Sequence, residues 1–191
     1  DEVKKHLKDG TEDQRIYITE GFFDALRLES QNQLAVAVLG STLAKKQIKI
    51  LENVVGEKNI SMRLFLDSDK AGQKGTVDCI SKIWKNKVLR RCYLDVAIIK
   101  EDYKDPDEAW KAQEKVSCEL CSGFEFVMRY YMKEENQPLS EINIDEHFEA
   151  MNVEERISFL HKVEGLLPSQ EWRDLFEYYD GFMEEEAEPL N

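Results

Sequence analysis

Cysteine is sparse in this 191-residue sequence: the four present form no dense pattern and follow no secretory leader. That fits a reducing, cytoplasmic compartment better than a disulfide framework. No run of about 18 uncharged apolar residues occurs, so no transmembrane helix can be drawn and no membrane role is expected. The opening Asp1-Glu2-Val3-Lys4-Lys5-His6 has no apolar core of the signal-peptide kind. It also lacks an initiator methionine, which points to a piece of a longer chain. Internal repeats and low-complexity linkers are absent. Positive charge is in deficit: 26 Lys and Arg face 39 Asp and Glu, for a net charge of −13. Taken over the whole chain, this argues against a nucleic-acid binder, whose phosphate contacts come mostly from Lys and Arg. What is there, 42% hydrophobic and 34% charged residues, is the composition of an ordinary globular protein.

The first half alternates two signals. Apolar runs at Arg15–Thr19, Leu34–Leu39, Ser61–Leu66 and Cys92–Ile99 read as four strands, most of them continuous enough to be buried on both faces. Helical spacing follows three of them: Phe22, Phe23, Leu26 and Leu28, then Leu43, Ile48 and Leu51, then Val77, Ile80, Ile83 and Trp84. Regular alternation of this kind implies parallel βαβ units. From Cys118 onward the strand signal stops. Phe124, Val127, Met128 and Tyr131 make one helical stripe; Val153, Ile157, Leu160 and Val163 a second; Trp172, Leu175, Phe176 and Tyr179 a third. The expected organisation is a leader over 1–14, an α/β domain over 15–117, a helical subdomain over 118–183 and an acidic tail over 184–191. Charge follows the same boundary. Residues 1–117 hold 21 basic and 20 acidic side chains, so the acidity lies almost wholly in the helical half.

In an open α/β sheet, ligands bind beyond the carboxyl ends of the strands. Three of the four strand ends here lead to acids: Glu20-Gly21 with Asp24, then Asp67-Ser68-Asp69, then Asp105-Pro106-Asp107-Glu108. Singly, each has a plain structural reading. Asp69 can cap the helix that starts near Lys70, and Asp105 before Pro106 is a good helix cap. Together they point to a cation. Asp67 and Asp69 in an extended D-x-D project to one side, and with Glu20 they place three carboxylates near one point. An all-oxygen set suits Mg²⁺ or Mn²⁺. It offers no His or Cys for zinc.

These segments resemble a known family. Ile16–Asp24, Ala35–Leu43, Phe65–Lys74 and Lys104–Glu108, in that order, are similar to the four motifs of the Toprim domain, in its DnaG-type primase version. Ser68 stands where that family usually has Gly, and Ser41-Thr42 where it has Thr-Ala. The resemblance implies a Toprim-like, mostly parallel four-stranded sheet flanked by helices and followed by an all-helical subdomain. It implies Mg²⁺ or Mn²⁺ on Asp67 and Asp69, with Glu20 as ligand or proton acceptor. Asp24, Asp105 and Asp107 match further acidic positions that could hold a second ion. The implied reaction is primer RNA synthesis from nucleoside triphosphates on single-stranded DNA, with a replicative helicase or other replication protein as partner. The family's zinc domain and basic upstream region are not in this sequence, so the fragment alone is expected to be weak or inactive.

Two basic features suit a nucleotide. Lys70 and Lys74 follow Asp69 at a helix start, where free N–H groups already favour anions. At Gly40-Ser41-Thr42, Gly40 makes a turn and Ser41 or Thr42 a cap; phosphate contact through Gly40 and Ser41 is the functional alternative. Lys82, Lys85, Lys87, Arg90 and Arg91 read as a solvated face. Cys118 and Cys121, on an expected helix, read as packing rather than a zinc or redox pair. Two rival functions share these features: a Toprim nuclease with the same carboxylates, and a non-catalytic module whose acidic half recruits a replication protein.

Overall fold

In a computed structural model of the chain, residues 14–56, 60–99, 103–112, 116–135 and 137–166 are described. They fall into two units, Asp1–Phe126 and Val127–Asn191. In the first, strand and helix alternate: β1 (Arg15–Thr19), α1 (Phe22–Ser30), β2 (Leu34–Ala37), α2 (Lys45–Val55), β3 (Ser61–Phe65), α3 (Lys70–Trp84), β4 (Leu94–Ile99), α4 (Pro106–Ala112) and β5 (Cys118–Ser122). Helix α5 (Gly123–Met132) contains the division, and α6 (Ile144–Ala150) and α7 (Val153–Glu164) lie in the second unit.

The sheet order is β2-β1-β3-β4-β5, with β1 to β4 parallel and β5 antiparallel. The four expected strands are all present, and one face of their interior is apolar: Ile16, Ile18, Met62 and Leu64 lie side by side there and are fully buried. Polar side chains also pin the register. Tyr17 stands opposite Arg63 and Arg63 opposite Asp95. Arg63 donates from Nε and Nη2 to the two Asp95 oxygens at 2.6 and 2.7 Å, and from Nη1 to the Tyr17 hydroxyl at 3.4 Å. A one-residue slip would turn these buried groups to the other face and leave their charges unpaired.

Two expectations are corrected, and two helices bury a face of mixed chemistry. The sheet has five strands rather than four, because Cys118–Ser122 is a strand where a helix was expected. Its sequence, Cys-Glu-Leu-Cys-Ser, lacks clear alternation; pairing with β4 places it. Cys118 and Cys121, neither in a disulfide, therefore project from opposite faces of a strand and do not share a helix face. On α1 the buried residues are Asp24, Ala25 and Leu28, whereas Phe22, Phe23 and Leu26 are 55%, 70% and 43% exposed. On α7 the buried face is Arg156, Phe159, Leu160 and Val163, leaving Val153 and Ile157 exposed. Arg156 is accommodated because its guanidinium donates to the Phe148 and Glu149 carbonyls and lies over the Phe148 ring. The expected Trp172–Tyr179 stripe and the Glu184–Glu186 tail lie outside the described residues.

Candidate catalytic site

Chain order runs outward from β1 to β2 on one side, then crosses back to β3 on the other. The carboxyl ends of β1 and β3 therefore flank the switch point, where an open sheet leaves a crevice. Thr19 pairs with Phe65 at the ends of these strands, so Glu20 and Asp67 emerge side by side. The backbone at Glu20 is held from the other flank as well. Although β2 ends at Ala37, Val38 N–H still donates to Thr19 O and Leu39 N–H to Glu20 O, at 2.9 and 3.0 Å. Leu39 adopts a left-handed backbone (φ 56°) to do so, with its side chain in solvent.

The Asp67-Ser68-Asp69 turn is pressed against α3. A Cβ on Gly72 would run into the Asp67 carbonyl oxygen, and one on Gly75 into the Ser41 carbonyl. Glycine at both positions lets the helix approach the turn and the β2–α2 connection closely. Asp69 does cap α3: its Oδ1 accepts from Gly72 N–H at 2.8 Å. Its other oxygen remains turned to the site, so capping and site membership coexist in one carboxylate.

Ser68 ties this turn to the chain before α4. Its N–H donates to Lys104 O at 2.7 Å, and its Oγ lies 2.5 Å from Tyr103 O and 3.0 Å from Lys104 O. Lys104 Nζ then stands 3.6 Å from Asp67 Oδ2 and 3.6 Å from Asp69 Oδ2. Glu20 accepts from the Asp67 N–H, but its Oε2 is buried with no hydrogen-bond partner among the described residues. Burial, then the charges of Asp67 and Asp69, raise the Glu20 pKa against the opposing pull of Lys104. Asp67 is likewise raised, by burial and by Asp105.

The remaining acids take different places. Asp24 is buried, and both its oxygens accept backbone N–H groups, from Gly21 at 3.1 Å and from Asp107 at 2.9 Å. Burial still pushes its carboxyl up to about 6. Asp105 Oδ1 caps α4 through Glu108 N–H at 2.7 Å, and Asp107 pairs with Lys111. Lys70, Lys74, Gly40 and Ser41 are exposed around the same sheet edge. Lys82, from the expected solvated face, donates to Thr42 Oγ1 and Leu43 O. Sequence reasoning assigned no role to Lys104 or Ser68. The available signals were the lysine directly before Asp105 and the serine at the family's glycine position.

Among the described residues, no three of His, Cys, Asp and Glu converge as metal ligands. The donor set nevertheless fits a hard divalent ion. It is all oxygen, it contains a buried oxygen without a partner, and its facing carboxylates are spanned by a single ammonium.

Residues 17–110 match the Toprim-like family. A DNA primase of Mycoplasma genitalium is 31% identical over 104 residues, a stretch that makes up 53% of this chain and 16% of that protein. In overall fold the chain is similar to the RNA polymerase domain of Mycobacterium tuberculosis primase DnaG. The TM-score is 0.53 at 16% identity, covering 85% of this chain and 53% of that one. The chain thus carries a Toprim domain. It is a Toprim domain of the DnaG-type primase kind.

Proposed function

We propose that this chain is the Toprim catalytic part of a DNA primase, acting in metal-dependent nucleotidyl transfer to build RNA primers on single-stranded DNA. The observation that carries the reading is Glu20 at the β1/β3 switch point, accepting the Asp67 amide and keeping a buried oxygen that has no partner among the described residues, beside the D-x-D turn. Asp67 and Asp69 would hold a divalent ion, Mg²⁺ or Mn²⁺, with Glu20. When bound, such an ion neutralises phosphate oxygens and the leaving pyrophosphate.

The chain's own groups supply the rest. Burial and neighbouring acids bring the Glu20 carboxyl toward the pKa range of a proton acceptor, here for the attacking hydroxyl. Lys70 and Lys74, at the N-terminal end of α3, face incoming triphosphate with cationic side chains. Asp24 positions the Asp105–Asp107 loop, and Asp105 and Asp107 are proposed for a second ion. Template grip, a helicase or other replication partner, a cytoplasmic place of work and the division into Toprim and helical parts belong to the same proposal.

The test is a primer-synthesis assay on the full-length parent, run beside a nuclease assay on the same preparation. Primer synthesis lost in Glu20→Gln supports the reading. Phosphodiester cleavage without primer synthesis overturns it in favour of a nuclease.

A further inference from the structure

Acids gathered at the ends of β1 and β3 require a counter-charge, and the chain brings one of its own. Lys104 Nζ sits astride the D-x-D pair, 3.6 Å from one oxygen of each carboxylate. Its backbone is fixed on both sides. Its carbonyl accepts from Ser68 N–H, and its N–H donates to Glu108 Oε2 at 2.8 Å. Ser68 is the central residue of the D-x-D itself, so the lysine and the pair it neutralises form one hydrogen-bonded unit. The side chain beyond that anchor is 59% exposed to solvent.

Geometry makes ammonium and metal alternatives. Direct Mg²⁺ coordination needs oxygens at about 2.0–2.1 Å. An ion shared by Asp67 and Asp69 at that distance would occupy the space between them where Lys104 Nζ now stands, 3.6 Å from an oxygen of each. We propose that Lys104 is a tethered counter-ion: it occupies the cation position between Asp67 and Asp69 in the metal-free protein, and a divalent ion displaces its ammonium into solvent. The exchange transfers no proton and breaks no covalent bond. Lys104 is thus a positioning residue that acts through Asp67 and Asp69, holding their turn assembled until metal arrives and weakening metal affinity by competition. This rests on the reading of Asp67 and Asp69 as metal ligands.

Mn²⁺ binding to the full chain, measured by calorimetry, tests it without any activity assay. Lys104→Met is expected to bind Mn²⁺ roughly two- to fivefold more tightly than wild type, the range of an exposed ion pair. It is also expected to melt earlier in chelator and no earlier in saturating Mn²⁺. Lys104→Arg, which keeps the charge, is expected to stay near wild type. Lys104→Gln serves as the second neutral variant should the Met variant not fold. Unchanged or weaker Mn²⁺ binding in the neutral variants, or equal behaviour of Arg and Met, overturns the counter-ion role while leaving the metal site standing. No Mn²⁺ binding in wild type, or binding unaffected by Asp67→Asn with Asp69→Asn, overturns the metal reading and the counter-ion with it.

Discussion

Asp24 accepts the backbone amide of Asp107 at 2.9 Å across 83 residues of chain. Its other oxygen accepts the amide of Gly21, the residue directly after Glu20. One buried carboxylate thereby fastens the β1–α1 turn to the start of α4. Removing it strands two N–H groups, partly offset by relief from burying a carboxyl. Asp24→Ala is expected to cost about 2 kcal/mol, read as a lower denaturation midpoint with unchanged m-value.

The same carboxyl makes a pH signature. Burial lifts it from the usual 3.8 to about 6, so the folded protein binds its proton more tightly than the unfolded chain. Its contribution is fully present below the unfolded pKa and is lost as pH rises through about 6. Wild type is expected to lose stability relative to Asp24→Ala between about pH 4 and pH 6. Denaturant titrations of both proteins across that range, in dilute solution because the pI is near 4.8, would show the two curves converging.

At Gly72 the site depends on a missing side chain. Any Cβ there would strike the Asp67 carbonyl, which is backbone and cannot swing aside. Gly72→Ala is expected to push the D-x-D turn off α3 at a cost of about 1–3 kcal/mol, with a weaker Mn²⁺ isotherm. An unaltered isotherm and melting curve would show that the turn has more freedom than its packing indicates.

Glu20→Gln separates chemistry from stability. The amide removes a charge that burial and two neighbouring aspartates disfavour, so the variant is expected to melt no lower than wild type. Primer synthesis by the full-length parent is expected to fall by about 10²–10⁴-fold, the usual reach of a proton-transfer group. A variant that keeps its rate would remove Glu20 from the reaction.

Much of the α/β scaffold was legible because buried parallel strands are written as continuous apolar runs, and all four were found. The acids were legible because each follows such a run directly. Asp69 and Asp105 were also legible as caps, and both do cap their helices. Strand β5 was not, since a short sequence with one fully buried side chain carries little periodic signal of its own. The helix after β1 was legible from its spacing, but not its orientation: apolar residues at helical spacing need not face the core, and here Phe22 and Phe23 are exposed while Asp24 occupies the inward position.

By itself, the sequence determined the strand–helix alternation, the sites where carboxylates leave the sheet, and the concentration of negative charge in residues 118–191, since these depend on residue type and spacing along the chain. Tertiary structure decided which oxygens were spent and which left over. Asp24 gives both of its oxygens to backbone amides, Asp69 gives one, and Glu20 keeps one buried and unpartnered. It also brought Lys104 over the D-x-D pair through Ser68. The physical reason is that hydrogen bonds and ion pairs between residues tens of positions apart depend on strand order and loop packing, which local propensity does not encode.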